Sequence, residues 1–440
     1  MAAPKINATT ILPAALLFVR LAVVAAYPWL ARQAPAWAWA NNDGYDAIAV
    51  NWVETGVYGL TPGLPTAARL PLYPGIIAAA YLLAGAAYPT VVMVLQALLS
   101  FATGVALFRM TERLFDRPSA RVALGGFILH PQINNFIFRC ATETLFIFLV
   151  TMLISSATRY ARGRHLRDLV CLAVWLGLSL LTRPTLAPLA AWSAPLLLLG
   201  RAGSRCAWRR RCGHAAAAAG IVGLLLAPWL IRNGAGAGYP PPLQTWSGRP
   251  LYQGTHVSRH LDEFLRREKT LTELDAAGLA EVNGAIAGYF RRRAPERRPL
   301  AREAAADRYA GRRAYRRLRE NPRRALAQFL RNLPLTPVLQ MTWSSTAALM
   351  AWNGPMTALS LAGMGWCFRV RRAAFFDALP LTAVFFYLWF THALVWPQAR
   401  YLLPGLAPFS SFAAFGLTQL FARRGITAIR DADSGAAGRV

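Results

Sequence analysis

The sequence predicts an all-α protein that crosses a membrane with about ten helices. Of its 440 residues, 55% are hydrophobic and only 15% are charged, whereas soluble domains carry on the order of 25% charged residues. The apolar residues are grouped into blocks that approach the roughly 20 residues needed to cross a bilayer; these blocks are 12–30, 91–108, 145–157, 215–231 and 402–421. One soluble core would not need so many apolar blocks.

The positive charge of the chain fits a membrane topology better than it fits nucleic-acid binding. The net charge is +28, and because Lys5 and Lys269 are the only lysines, arginine carries nearly all of it. Much of the arginine lies in short loops between apolar blocks, as expected where basic loops stay in the cytoplasm; these loops are 109–121, 159–167, 201–211, 369–372 and 423–424. We therefore predict no nucleic-acid partner.

The basic loops determine the predicted orientation of the first span and the first outer loop. The first span covers about residues 9–30 and leaves Met1 in the cytoplasm. Because its apolar run continues through Leu30, we interpret it as a retained helix and not as a signal peptide. Residues 32–87 then form an outer loop. Its apolar stretch 71–87 contains Pro74 and Gly85, which predicts an interfacial or half-inserted helix.

The remaining spans divide the chain into four regions. They are an N-terminal transmembrane core (1–233), an outer-face helical segment (234–347), C-terminal transmembrane helices (348–422) and a cytoplasmic tail (423–440). After the first outer loop, we predict spans at about 88–109, 119–135, 142–161, 168–183, 185–200, 214–231, 348–368, 374–394 and 400–421.

The outer-face segment is rich in Arg, Glu and Ala. Its pattern predicts two amphipathic helices, 261–287 and 300–331, joined at 294–299, followed by a membrane-surface stretch at 332–347. Long translocated segments are largely exempt from the charge rule for short loops, so the external arginines do not contradict the topology. A solvated helix face is the simplest explanation of these arginines.

The sequence indicates no cofactor. Its five cysteines are odd in number and scattered, so they predict neither a zinc knuckle nor a disulfide framework. His256 and His260 lie four residues apart and precede Glu263, so a helix would place the three near one face. Two metal ligands can have this spacing, but ordinary polar residues on a helix have it too.

Isolated charged residues stand at the predicted outer ends of the spans, beside prolines and aromatic residues. Burying a charge near a membrane costs several kcal/mol unless the charge is paired or used, so these residues are candidates for function; they are Asp43, Asp46, Arg69, Arg139, Glu143, Arg183, Arg232 and Arg400. Their common side predicts one outward-facing cavity. For any single residue, a snorkelling arginine or a structural ion pair is the alternative.

This mixture of charges suits a lipid-linked phosphate substrate. Carboxylates can act as general bases, and the planar guanidinium of arginine matches the oxygen atoms of a phosphate. A site with both groups at the edge of a lipid-facing bundle predicts cleavage of a phosphoester bond.

The motifs that carry these residues resemble those of a known superfamily. Over about residues 10–420, their order and spacing resemble the GT-C superfamily of polyprenyl-phosphate-dependent glycosyltransferases, in particular the bacterial branch similar to protein O-mannosyltransferases and to the lipid A aminoarabinose transferase. The motifs are Asn42-Asp43-Gly44-Tyr45-Asp46, Arg69-Leu70-Pro71-Leu72-Tyr73-Pro74, His130-Pro131 with Thr142-Glu143, Leu181-Thr182-Arg183-Pro184, Ala227-Pro228-Trp229-Leu230-Ile231-Arg232-Asn233 and Ala399-Arg400-Tyr401-Leu402-Leu403-Pro404.

The resemblance implies a GT-C-like membrane enzyme that transfers one sugar, with inversion, at the outer face of a bacterial cytoplasmic membrane. The donor would be a sugar monophosphate of undecaprenol or a similar polyprenol, and the acceptor a glycan, a lipid or a protein. The catalytic carboxylate would be Asp43 or Asp46, and the donor phosphate would contact Arg400, Arg232 or Arg183. Substrate-binding or structural roles would fall to Glu143, Arg139, Arg69, Tyr45, Tyr401 and Tyr73.

Other functions remain open at this point. A transporter or flippase of lipid-linked sugars is the first alternative, although that class typically has inverted repeats and ionisable residues near the bilayer midplane. A membrane scaffold that binds a partner is the second. The loop from Trp246 to Gly254 resembles a loop near the acceptor cleft of the family, and ordinary turn packing explains it equally well.

Overall fold

Helices make up most of the part of the chain that the structure describes. The computed structural model describes residues 8–26, 43–191, 205–237, 243–292 and 298–437. The only β-type pairing in these residues is an isolated bridge between Thr61 and Leu64, so the predicted all-α class is confirmed. The helices are α1 (Ala8–Ala25), α2 (Tyr45–Thr55), α3 (Leu72–Ala84), α4 (Tyr88–Leu114), α5 (Arg117–Leu129), α6 (Pro131–Asn135), α7 (Glu143–Gly163), α8 (Leu166–Leu180), α9 (Arg205–Ala237), α10 (Gly248–Leu265), α11 (Leu271–Arg291), α12 (Pro299–Glu320), α13 (Pro322–Leu335), α14 (Trp343–Val370), α15 (Arg372–Asp377), α16 (Leu379–Val395) and α17 (Ala399–Ala437).

Several helices have the length and composition of membrane spans. Among the described residues, four stretches are long and apolar enough, and Leu379–Val395 is a shorter apolar helix; the four are Leu72–Leu114, Glu143–Gly163, Arg209–Ala237 and Ala399–Ala422. They overlap the spans predicted at 88–109, 142–161, 214–231 and 400–421. The predicted span 185–200 lies mostly outside the described residues, and the first span can be followed only to residue 26. The number of about ten spans therefore stays a prediction.

The stretch 71–87, predicted to be interfacial, is helical and leads directly into α4. α3 ends before Gly85, whose φ of 52° lies in the region that favours glycine, and a 3₁₀ turn at Gly85–Ala87 connects it to α4. Leu82 and Leu83 near this turn are exposed. Apolar side chains that face lipid would be exposed in this way.

The core lies around α7 and α17. α7 packs against α4, α8 and α17, and α17 also packs against α5, α14 and α16. Aromatic rings fill the contact between α16 and α17, where Phe385 stacks on Phe409 with 3.8 Å between ring centroids. Because α7 and α17 both begin at the same end of the bundle, Glu143 and Arg400 come close together.

A side chain at Gly363 is expected to separate α14 from α17. A Cβ atom added there would lie 2.0 Å from the carbonyl oxygen of Phe412, and small residues allow such close helix crossings in membranes. We expect Gly363→Ala to lower the free energy of unfolding by roughly 1–3 kcal/mol, which thermal unfolding of the purified protein in detergent would detect. The matched control is Gly365→Ala, where an added Cβ meets nothing within 4 Å. An equal loss in the control would contradict this explanation.

The prediction of two long helices in the outer-face segment was wrong, because the residues of this segment that the structure describes form four helices between Gly248 and Leu335. The predicted helix 261–287 is interrupted: Arg267 has a φ of 61°, and Thr270 and Glu273 form a capping box that begins α11. The predicted helix 300–331 is broken at Asn321, whose side chain caps α13 by accepting a hydrogen bond from the backbone N–H of Arg324. Both breaks occur at local capping residues, although the amphipathic pattern of the sequence continues across them.

Candidate active site

A cavity of about 590 Å³ collects polar side chains from distant parts of the chain. Asp43 and Arg69 come from the first outer loop, and Arg183 comes from the loop that follows α8. Trp246 precedes α10, and Arg400 lies at the start of α17. Half of the eight charged residues predicted to share a cavity therefore line this one.

Glu143 is the buried anionic group next to the cavity. It is the first residue of α7, and its side chain is completely inaccessible to solvent. Its Oε1 atom lies 2.7 Å from Nη2 of Arg183 and 4.0 Å from Nε of Arg400. Nε of Arg183 also donates a hydrogen bond to Oγ1 of Thr142 at 2.6 Å. A carboxylate between two guanidinium groups offsets their repulsion, so both cations can face the same cavity.

Aromatic rings hold the two guanidinium groups in place. The guanidinium carbon of Arg400 lies 4.6 Å from the ring centroid of Tyr401, and that of Arg183 lies 5.6 Å from the same ring. Tyr401 in turn stacks on His392, with 4.9 Å between ring centroids. Cations over aromatic faces are attracted by the ring quadrupole. The arrangement therefore presents two ordered positive charges, the kind of group that can bind a phosphate.

Asp43 lies on another wall of the same cavity, held by Arg69. Nη2 of Arg69 lies 3.5 Å from Oδ1 of Asp43, and Nε of Arg69 donates to the backbone carbonyl of Asp43 at 2.9 Å. Gly44, with a φ of 73°, turns the chain into α2 directly after this carboxylate. The guanidinium of Arg69 also lies over the rings of Tyr45 and Trp246. Burial, with a smaller contribution from Asp43, raises the pKa of Tyr45 to about 12, so its hydroxyl stays protonated.

Arg232 lies apart from Arg183 and Arg400. Its guanidinium donates to the carbonyl of Thr66 at 2.7 Å and to the carbonyl of Tyr58 at 3.1 Å. It belongs to a separate groove of about 620 Å³ that includes Trp229. These contacts connect α9 to the first outer loop. A role for Arg232 at the donor phosphate stays a prediction, and its surroundings are those of a structural residue.

The structure does not place Asp46, Tyr73 or Arg139 on the cavity wall. Oδ1 of Asp46 accepts a hydrogen bond from the backbone N–H of Ala47 at 2.6 Å. Tyr73 is buried and its hydroxyl donates to Oε1 of Gln96 at 3.3 Å. Arg139 lies in the connection that precedes α7. These surroundings favour supporting roles near the site.

The two histidines with metal-ligand spacing pair with different carboxylates. Nδ1 of His256 lies 2.7 Å from Oε2 of Glu281, and Nδ1 of His260 lies 2.7 Å from Oε1 of Glu263. The two imidazole rings lie 4.5 Å apart between centroids. No group of three potential metal ligands occurs in the part of the chain that the structure describes. Each histidine is therefore hydrogen-bonded to a different carboxylate.

Asp275 is a residue near the site that sequence reasoning missed. It lies on α11 and accepts a hydrogen bond from Nε2 of Gln253 at 2.6 Å. Burial raises its pKa to about 6, although nearby Arg400 and this hydrogen bond lower the pKa; Asp43 raises it further. An acidic residue on a charged amphipathic helix looks in sequence like part of a solvated face. No local signal could therefore have identified Asp275.

The stability cost of Asp275 is expected to depend on pH. Because its pKa is about 6 in the folded protein and 3.8 in the reference state, the folded state favours the protonated acid. With respect to this carboxyl group, the folded state is most favoured below pH 3.8. This contribution to the stability of the protein is lost as the pH rises through about 6. We therefore expect Asp275→Asn to raise the thermal midpoint at about pH 7.5 but not at about pH 4. Exposed Glu268, changed to Gln, is the control; a pH-independent gain at Asp275 would contradict the explanation.

Comparisons with known proteins agree with this architecture. Residues 66–231 match the family model for dolichyl-phosphate-mannose-protein mannosyltransferase. No curated protein matches the chain. Among solved structures, the apo oligosaccharyltransferase of Archaeoglobus fulgidus superposes with a TM-score of 0.53 at 14% identity, covering 96% of this chain and 52% of that protein. The same enzyme in complex with Zn and sulfate superposes with a TM-score of 0.51 at 14% identity, covering 93% of this chain and 50% of that protein.

A third similar structure is ArnT of Cupriavidus metallidurans bound to undecaprenyl phosphate. It has a TM-score of 0.41 and 14% identity, and covers 93% of this chain and 76% of that protein. The chain spans about half the length of the oligosaccharyltransferase that it matches. The resemblance predicted from the motifs is confirmed by the family match and by the fold. The chain is a helical membrane protein whose fold is similar to that of the oligosaccharyltransferase, and its residues 66–231 match the family model of the mannosyltransferases.

Proposed function

We propose that the protein is an inverting glycosyltransferase that moves a single sugar from a polyprenyl monophosphate to an acceptor. The match of residues 66–231 to a mannosyltransferase family model supports an enzyme that transfers glycosyl groups. The observation that carries the finer proposal is the joint placement of Asp43, Arg183 and Arg400 on the wall of one cavity. A base and two phosphate-binding cations are the groups that this reaction needs.

Asp43 is the proposed general base. It lines the cavity, whereas Asp46 accepts a hydrogen bond from its own helix. A sugar hydroxyl is a weak nucleophile, so a carboxylate that accepts its proton as the new bond forms contributes on the order of 10²–10⁴ in rate. Arg69 contacts both the side chain and the backbone of Asp43 and would hold the carboxylate in position.

Arg400 and Arg183 are the proposed ligands of the donor phosphate. The acceptor oxygen forms a bond to the anomeric carbon, the bond from that carbon to the phosphate oxygen breaks, and the electron pair leaves with the polyprenyl phosphate. The proton of the acceptor passes to Asp43. Ordered cations stabilise the charge that develops on the leaving group. Glu143 is then a positioning residue that keeps both guanidinium groups at the site.

The proposed location is the cytoplasmic membrane of a bacterium, with the cavity facing the periplasm or exterior. The arginine-rich short loops support this orientation. It retains the predicted organisation, with core 1–233, outer-face segment 234–347, C-terminal spans 348–422 and cytoplasmic tail 423–440. A membrane-impermeant thiol reagent applied to intact spheroplasts should label a cysteine introduced at exposed Leu64. Labelling only after lysis would contradict the orientation.

The function is tested by incubating the purified full-length protein with radiolabelled undecaprenyl-phosphate sugars and a panel of glycan, lipid and peptide acceptors. We expect transfer from at least one of these donors and none from the same sugars carried by nucleotide diphosphates. NMR of the product should show the opposite anomeric configuration to the donor. Transfer only from nucleotide donors, or retention of configuration, would overturn the proposed chemistry.

A further inference from the structure

A second cleft in the outer-face segment adjoins the candidate active site. It has a volume of about 780 Å³ and is lined by Arg249, Arg291, Arg302 and Glu303, among others; we call it the Arg249 cleft. Three of these side chains are cations and one is a carboxylate. The cleft lies between helices of the outer-face segment, outside the apolar bundle, so an occupant would approach it from water or from the membrane surface.

Glu303, the carboxylate that the described residues place in the cleft, already has hydrogen-bond partners within the protein. Glu303 accepts hydrogen bonds from Oγ1 of Thr66 at 2.9 Å and from Oγ1 of Thr245 at 2.6 Å, and also from the backbone N–H of Ala67. Burial raises its pKa in spite of these bonds. Glu303 therefore joins the first outer loop to the outer-face segment.

The arginines of the cleft, in contrast, have no ion-pair partner within 4.0 Å among the described residues. Nε of Arg249 is buried and makes no hydrogen bond within this part of the chain. The guanidinium of Arg302 lies over the ring of Phe290 at 5.1 Å. Asp307 accepts hydrogen bonds from the first backbone N–H groups of α10, including that of Arg249. The helix terminus is therefore already capped, and the guanidinium groups are the donors left for an anion.

A single tryptophan connects this cleft to the candidate active site. The ring of Trp246 lies 4.8 Å from the guanidinium carbon of Arg249 and 5.2 Å from that of Arg69. Arg69 in turn contacts Asp43. Trp246 lines the active-site cavity, and Arg249 lines the cleft. One elongated ligand could therefore reach both places by passing Trp246.

We infer that the Arg249 cleft binds an anionic group of the acceptor, so that the acceptor carries a phosphate or a carboxylate and places its reacting hydroxyl at Asp43. This inference rests on the proposed function. Arginine forms paired, charge-assisted hydrogen bonds to either anion, and loss of one such bond typically reduces affinity by about tenfold or more. The cleft would select acceptors by charge, while the Arg183 and Arg400 pair binds the donor phosphate.

The test uses three fluorescent disaccharide glycosides that differ only in carrying a phosphate monoester, a uronic acid carboxylate or no charge. Fluorescence anisotropy with the full-length protein in detergent should show binding of both anionic probes at least about tenfold tighter than the neutral one. Arg249→Gln with Arg302→Gln should remove that preference, and Arg266→Gln, an exposed arginine on the same segment, should retain it. The preference should also fall as salt concentration rises.

Two results would overturn the inference: equal binding of the three probes by the wild-type protein, or a charge preference that persists in the double variant. Binding is measured without turnover, so it is independent of the proposed reaction. Selective binding without sugar transfer would leave the cleft assignment in place and remove the transferase. Sugar transfer without charge-selective binding would support the transferase and overturn the assignment of the cleft.

Discussion

Replacing Asp43 by asparagine is expected to reduce sugar transfer by roughly 10²–10⁴-fold. Asparagine keeps the shape of the side chain and its place beside Arg69, but it cannot accept the proton of the acceptor hydroxyl. The loss should appear in kcat, with little change in the Kd for the donor, because the donor phosphate is assigned to other residues. Single-turnover transfer of a radiolabelled sugar would measure the effect directly.

Asp46→Asn is the matched control for this experiment. Asp46 is also acidic and lies only three positions away, but its carboxylate accepts a hydrogen bond from Ala47 and does not line the cavity. We expect a much smaller effect on turnover. If Asp46→Asn abolishes transfer while Asp43→Asn does not, the base is Asp46. Full activity in the double variant would eliminate both carboxylates as the base.

The largest effect on stability is expected from Glu143→Ala. The side chain of Glu143 is fully buried and pairs with Arg183 at 2.7 Å, with Arg400 at 4.0 Å. Removing one partner of a buried ion pair leaves uncompensated charge and typically costs about 3–5 kcal/mol. The variant should therefore unfold at a clearly lower temperature in detergent. Its donor affinity should fall as well, because the guanidinium groups of Arg183 and Arg400 would lose the carboxylate that positions them.

An exposed ion pair provides the comparison for Glu143. Glu112 lies 3.7 Å from Arg117, and both side chains are more than 40% exposed. Such pairs contribute less than about 1 kcal/mol, so Glu112→Ala should change the unfolding temperature little. Glu143→Asp would separate charge from shape, since it keeps the carboxylate but shortens its reach. If Glu143→Ala is as stable as the Glu112 variant, the buried charge network is not what holds this end of the bundle together.

The positions of the apolar helices could be predicted from the sequence because that signal is local. About 20 consecutive apolar residues form a membrane helix whatever their neighbours are, and the stretches Glu143–Gly163 and Ala399–Ala422 lie where the apolar pattern placed them. Reasoning from the apolar pattern predicted two helices in the outer-face segment, whereas the described residues of that segment form four. The capping residues Thr270 and Asn321 interrupt patterns that periodicity alone reads as continuous.

The candidate site was predictable only as a set of residues. Unusual charges beside prolines and aromatic residues identified Asp43, Arg183 and Arg400, which now share a cavity. The same criterion selected Arg232 equally, although its hydrogen bonds go to the backbone of the first outer loop. It did not select Asp275, which lies on an amphipathic helix among many other charged residues.

The sequence by itself determined the all-α class, the apolar stretches and the chemical types of residue available to a site. Tertiary structure decided which of these charges meet. Glu143 contacts Arg183 and Arg400, which are 40 and 257 positions away in the chain, and Trp246 lies between Arg69 and Arg249. Helix formation depends on neighbours within a few residues, so composition can predict it. Contacts between remote charges depend on how whole helices pack, and no local pattern contains that information.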